Sequence, residues 1–96
     1  MIIHIRRSGG LAGTDEALGT IDTRALPADE AARVTRTLDR LADVVARPGD
    51  YAGADTYRYD VEIRDGPGSE RVLTVLHTGE PDTPLPRPLE ELLKAV

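Results

Sequence analysis

Ninety-six residues are enough for one domain with one modest core, and they leave little chain for a deep catalytic cleft. With no Trp or Phe and only three Tyr, aliphatic side chains must build that core, and a net charge of −5 disfavours nucleic acid or an anionic membrane surface as a partner. Having no cysteine, the chain has neither disulfides nor thiolate chemistry. The opening MIIHIRRSGG lacks a basic start followed by an apolar stretch of signal-peptide length. No apolar run approaches the ~20 residues that span a bilayer, so the expectation is a cytoplasmic protein.

In chain order, Ile2 to Arg7 is short and β-branched, with Ile3 and Ile5 on one face, and reads as a strand. Ser8-Gly9-Gly10-Leu11-Ala12-Gly13-Thr14-Asp15 follows, and its three glycines signal a loop with unusual backbone angles. Ala17 to Thr23 reads as the returning strand of a hairpin with a long tip. The spacing of Ala31, Val34, Leu38, Leu41 and Val45 predicts a helix over 28–45, with Asp29, Arg33, Arg36, Asp39, Arg40 and Asp43 off the apolar stripe. Pro27 suits its first position, Leu26 falls at the N-cap, and Pro48-Gly49 is the expected stop. After a loop over 50–55, Tyr57, Tyr59, Val61 and Ile63 alternate with Arg58, Asp60, Glu62 and Arg64, the pattern of a strand with one face in water. A turn at Asp65-Gly66-Pro67-Gly68 leads to a fourth strand over Glu70 to Thr78. A proline-studded link precedes a short helix carrying Leu89, Leu92, Leu93 and Val96, expected to dock on the sheet. The reading is an α+β fold of order ββαββα: a four-stranded antiparallel sheet packed on one long helix, with a short C-terminal helix, all in one domain over 1–96.

Candidate chemistry is sparse. His4 and His77 stand alone, without HExxH, His-x-His or a carboxylate at helical spacing, and a zinc site needs three or four convergent ligands. The bland reading is two strand histidines, and no metal or other cofactor is expected. Ser8 and Ser69 lie outside any G-x-S-x-G elbow, so no triad assembles around them and no catalytic residue is assigned. As a phosphate cradle the glycine loop fails, because a strand follows it and no Lys or Arg lies between Gly9 and Thr23. It reads either as a plain connection or as a binding loop. Leu11 favours the second, since a hairpin tip does not require an apolar side chain, whereas a single anchor entering a pocket can dominate affinity. Three functions stay open on these residues: a protein-binding loop, an adaptor or oligomerisation domain that pairs through a sheet edge, and a small enzyme built on His4 or His77.

The run Ile5-Arg6-Arg7-Ser8-Gly9-Gly10-Leu11-Ala12-Gly13 resembles the opening of the emfourin-like proteins, small bacterial inhibitors of thermolysin-like metallopeptidases. Asp22 with Leu26-Pro27, Tyr57-Arg58-Tyr59, and Pro88-Leu89 with Leu92-Leu93 resemble that family too, over nearly the whole chain. The resemblance implies a non-enzyme whose partner is a thermolysin-like metallopeptidase. It also implies a partner-binding surface formed by Arg7, Ser8, Gly9, Gly10, Leu11, Ala12, Gly13 and Thr14. Such peptidases prefer a bulky apolar residue just after the scissile bond, so Leu11 would enter that pocket as a substrate mimic, and any zinc would belong to the target. One departure stands at Leu11, where Phe is usual in the family; the apolar anchor is kept and its shape changes.

Overall fold

The structure is a computed structural model, and it describes residues 1–10, 13–46, 56–78 and 82–96. β-Branched and aliphatic residues at period two produce the first strand, β1 (Ile2–Gly9), with Ile3 and Ile5 fully buried on one face. It pairs antiparallel with β2 (Thr14–Asp22) on one side and with β3 (Tyr57–Arg64) on the other. β4 (Glu70–His77) pairs antiparallel with β3, which gives the order β2-β1-β3-β4. Ile3 lies opposite both Ile21 and Ile63, and Val61 lies between Ile5 and Leu73, so one face of the sheet is a continuous aliphatic layer. The opposite face is polar. Arg58 bonds Asp60 at 3.0 Å, Thr74 donates to the same carboxylate at 2.8 Å, and Arg6 bonds Asp15 at 2.9 Å. The alternation read in β3 and the ββαββα order are both present.

The hairpin differs from its sequence reading. Both strands run further into the glycine stretch, so β1 ends at Gly9 rather than Arg7 and β2 opens at Thr14 rather than Ala17. The reason is tertiary: β1 is a central strand, and Gly9 has partners on both sides, Thr14 in β2 and Tyr57 in β3. A register shift opposite Ile5/Arg6 marks a bulge in β2 at Leu18, whose side chain packs against the core. β2 stops at Asp22, one residue early, because that carboxylate accepts the Arg24 N–H at 3.0 Å and caps a 3-10 turn over Thr23–Ala25.

The long helix, α1 (Ala28–Leu41), presents Val34, Leu38 and Leu41 to the aliphatic face, with Thr37 buried beside them. Pro27 is its N-cap rather than its first residue: the ring sets φ at −55°, but ψ is an extended 150°. The helix ends at Leu41, four residues before its apolar period runs out. Its last turn tightens as Asp43 and Val44 donate to Arg40 and Leu41, and Ala46 then donates to the Thr74 carbonyl of edge strand β4 at 2.7 Å. Val45 is therefore half-buried and outside the helix. The stop signal at Pro48-Gly49 and the loop over 50–55 lie outside the described residues.

The β3–β4 turn falls at 65–69, with positive φ at Gly66 and Gly68 and an Asp65 N–H bond to the Ser69 carbonyl. The last helix, α2 (Arg87–Lys94), packs against α1 and feeds Leu89 and Leu92 into the same core. Arg40 and Glu91, 2.6 Å apart, tie the two helices together. Val96, expected on the buried stripe, is half exposed; its side chain fills the space above Gly19 of β2. No helix among the described residues is long and apolar enough to cross a membrane.

Candidate functional site

At one end of the sheet, β1 runs into its glycines. Gly9, Gly10 and Gly13 have φ of +91°, +77° and +62°, in the left-handed region where an L side chain is strained. The Gly10 N–H donates to the Thr56 carbonyl at 3.1 Å, and the Gly13 N–H donates back to the Gly10 carbonyl at 3.1 Å, which closes the tip. A Cβ on Gly9 would stand 2.6 Å from the Thr56 oxygen. One on Gly10 would stand 2.7 Å from Cε1 of Tyr57, so backbone and ring approach in a way only glycine permits. One on Gly13 would meet nothing within 4 Å among the described residues. The tip is thus held to the start of β3 on one flank and open on the other.

Below the tip, Arg7 lies opposite both Glu16 and Tyr59, on the same side of β1 as Ile3 and Ile5. Its guanidinium is ion-paired with Glu16 and sits 5.1 Å from the centroid of the Tyr57 ring. Arg7 Nε is buried without a hydrogen-bond partner among the described residues. Ser8 lies opposite Asp15 and Arg58, on the other side of β1. Arg6, also on that side, has its pKa raised above the ordinary guanidinium value by its hydrogen bond and charge pairing with Asp15.

The eight residues expected to form the binding surface therefore divide. Arg7, Ser8 and Gly9 belong to β1, Thr14 opens β2, and only Gly10 and Gly13 are described at the tip. The proposed anchor Leu11, with Ala12, lies outside the described residues. Sequence reasoning misses Thr56, Tyr57 and Glu16, although they hold the tip and its base. Tyr57 is legible only as one member of an alternating strand face, and nothing local says which loop that face reaches.

The two histidines are separate. His4 Nδ1 is 3.0 Å from Thr20 Oγ1 on the polar face, and His77 Nε2 is 2.7 Å from the Thr83 carbonyl at the far edge. Among the described residues no three His, Asp or Glu side chains converge in a group that could hold a metal ion. A strand, β2, and not a helix, follows the tip in the chain.

A four-stranded sheet roofed by two helices, with Gly9, Gly10 and Gly13 at positive φ, defines a small α+β domain. The chain belongs to the Emfourin family: the family model matches residues 5–96, essentially the whole chain. That family is of inhibitor type, and membership carries a protease-inhibitor role in general, exerted on a protein partner. Comparison with curated proteins returned no match, and neither did comparison with solved structures.

Proposed function

We propose that this chain inhibits thermolysin-like zinc metallopeptidases by placing the glycine tip, 8–14, in the active-site cleft, with Leu11 as the apolar anchor in the pocket that follows the scissile bond. The observation that carries this reading is the set of positive φ angles at Gly9, Gly10 and Gly13, with Gly10 bonded to Thr56. A tip already held in shape loses less conformational freedom on binding, and glycine backbone can approach the walls of a narrow cleft closely. The alternative, an adaptor that pairs through a sheet edge, is less well supported. Edge strand β2 is bulged at Leu18, and edge strand β4 already accepts Ala46 at Thr74.

The test is titration of the chain against several thermolysin-like peptidases hydrolysing a peptide substrate. Stoichiometric loss of activity is expected for at least one of them. Leu11→Ala removes most of an apolar side chain's transfer free energy, about 1.5–3 kcal/mol, and weakens inhibition roughly tenfold to hundredfold. Leu11→Asp brings an unpaired charge to an apolar pocket and weakens it further. Inhibition by Leu11→Asp equal to that of the unmodified chain refutes the anchor.

A further inference from the structure

We infer that Tyr57, held by Arg7 and Glu16, is the positioning residue that keeps the glycine tip in its binding shape; this rests on the inhibitor reading above. Glycines at positive φ adopt that backbone without strain, but glycine also has the most freedom to leave it. The tip therefore needs something outside itself to stay ordered.

Two contacts from the start of β3 supply this. The Gly10 N–H bond to the Thr56 carbonyl is one. The other is the Tyr57 ring. A Cβ on Gly10 would fall 2.7, 2.8 and 3.1 Å from its Cε1, Cζ and Oη, so the ring lies flush against the Gly10 backbone. The ring is fixed in turn, with the Arg7 guanidinium 5.1 Å from its centroid and Glu16 of β2 pairing with that guanidinium. Three adjacent strands thus send one side chain each to the base of the tip, in the sequence Glu16, Arg7, Tyr57, Gly10.

A feature of Arg7 argues that this arrangement does more than pair two charges. A surface ion pair leaves the guanidinium donors in water, whereas Arg7 Nε is buried with no hydrogen-bond partner among the described residues, an unfavourable state for a donor. The electron-rich face of Tyr57 is what the cation has in exchange. Ring and cation are each placed for the other, directly beneath Gly10.

The experiment uses the full chain with Tyr57→Phe, Tyr57→Ala and Glu16→Gln. Amide hydrogen exchange of Gly10 and Gly13 in the free protein is measured beside association and dissociation rates with a thermolysin-like peptidase. In Tyr57→Ala, exchange at Gly10 and Gly13 should accelerate at least about tenfold, while amides of α1 and β1 keep their protection. Inhibition should weaken roughly tenfold to hundredfold, the scale of re-ordering one or two residues on binding. Tyr57→Phe keeps the ring and should stay within about twofold on both readouts. Glu16→Gln should fall between the two, and it decides the matter alone if Tyr57→Ala does not fold. Unchanged exchange at Gly10 in both Tyr57→Ala and Glu16→Gln overturns the inference, as does accelerated exchange with undiminished inhibition. If the unmodified chain inhibits no thermolysin-like peptidase, the inhibitor reading fails, while the exchange measurement still decides whether Tyr57 holds the tip.

Discussion

Alanine at Gly10 and alanine at Gly13 make a matched pair of perturbations, because both glycines have positive φ but only one has a neighbour in the way. At Gly13, φ is +62° and no atom of the described residues lies within 4 Å of the new Cβ, so the cost is backbone strain, about 1–2 kcal/mol. At Gly10 the same strain applies at φ +77°, and the Cβ falls 2.7 Å from the Tyr57 ring. The ring must move or the Gly10 backbone must lift. Lifting the backbone gives up the bond to Thr56, worth about 1 kcal/mol, and moving the ring gives up the Arg7 contact, worth about 0.5–1 kcal/mol. Gly10→Ala should therefore cost about 1.5–3 kcal/mol, about 0.5–1 kcal/mol more than Gly13→Ala. Urea unfolding of both variants at constant m-value measures the difference. Combining Gly10→Ala with Tyr57→Ala removes the collision, so the double variant should lose less than the two single losses added together. A Gly10→Ala loss no larger than that of Gly13→Ala refutes the close packing of ring on backbone.

Two further outcomes test the frame that carries the tip. Leu38 is 1% exposed in the last turn of α1, and Leu38→Ala should cost about 2–5 kcal/mol by equilibrium unfolding, with a loss below about half a kcal/mol counting against its burial. The Asp22 carboxyl is held below the ordinary carboxylate range, chiefly by the Arg24 N–H. A depressed folded pKa means the cap stabilises above the unfolded value, about 3.9, and is lost as pH falls through the folded one. Asp22→Ala should lower the melting temperature at pH 7, and that deficit should shrink as the pH is taken below about 3.9; a deficit that does not change with pH would show that the charge is not what caps the turn.

The elements with one strong period are legible in the amino-acid sequence alone. β3 falls at Tyr57–Arg64 because four apolar residues alternate with four charged ones, and α1 forms where Val34, Leu38 and Leu41 repeat at three and four. The glycine loop is legible for a similar reason: three glycines so close together announce positive φ, and all three have it. Local period does not say where the helix stops. Val45 continues the stripe, yet the chain leaves α1 after Leu41 and Ala46 bonds the edge strand at Thr74, a partner far along the chain. Nor does it say that β1 runs on to Gly9, which is paired on both sides, with Thr14 of β2 and with Tyr57 of β3. The same holds for the base of the candidate site. Arg7, Glu16 and Tyr57 come from three strands, and only strand order and register bring them together beneath Gly10. Propensity and periodicity are properties of neighbours in the chain, whereas a ring against a glycine and a cation over that ring depend on which strands become neighbours in space.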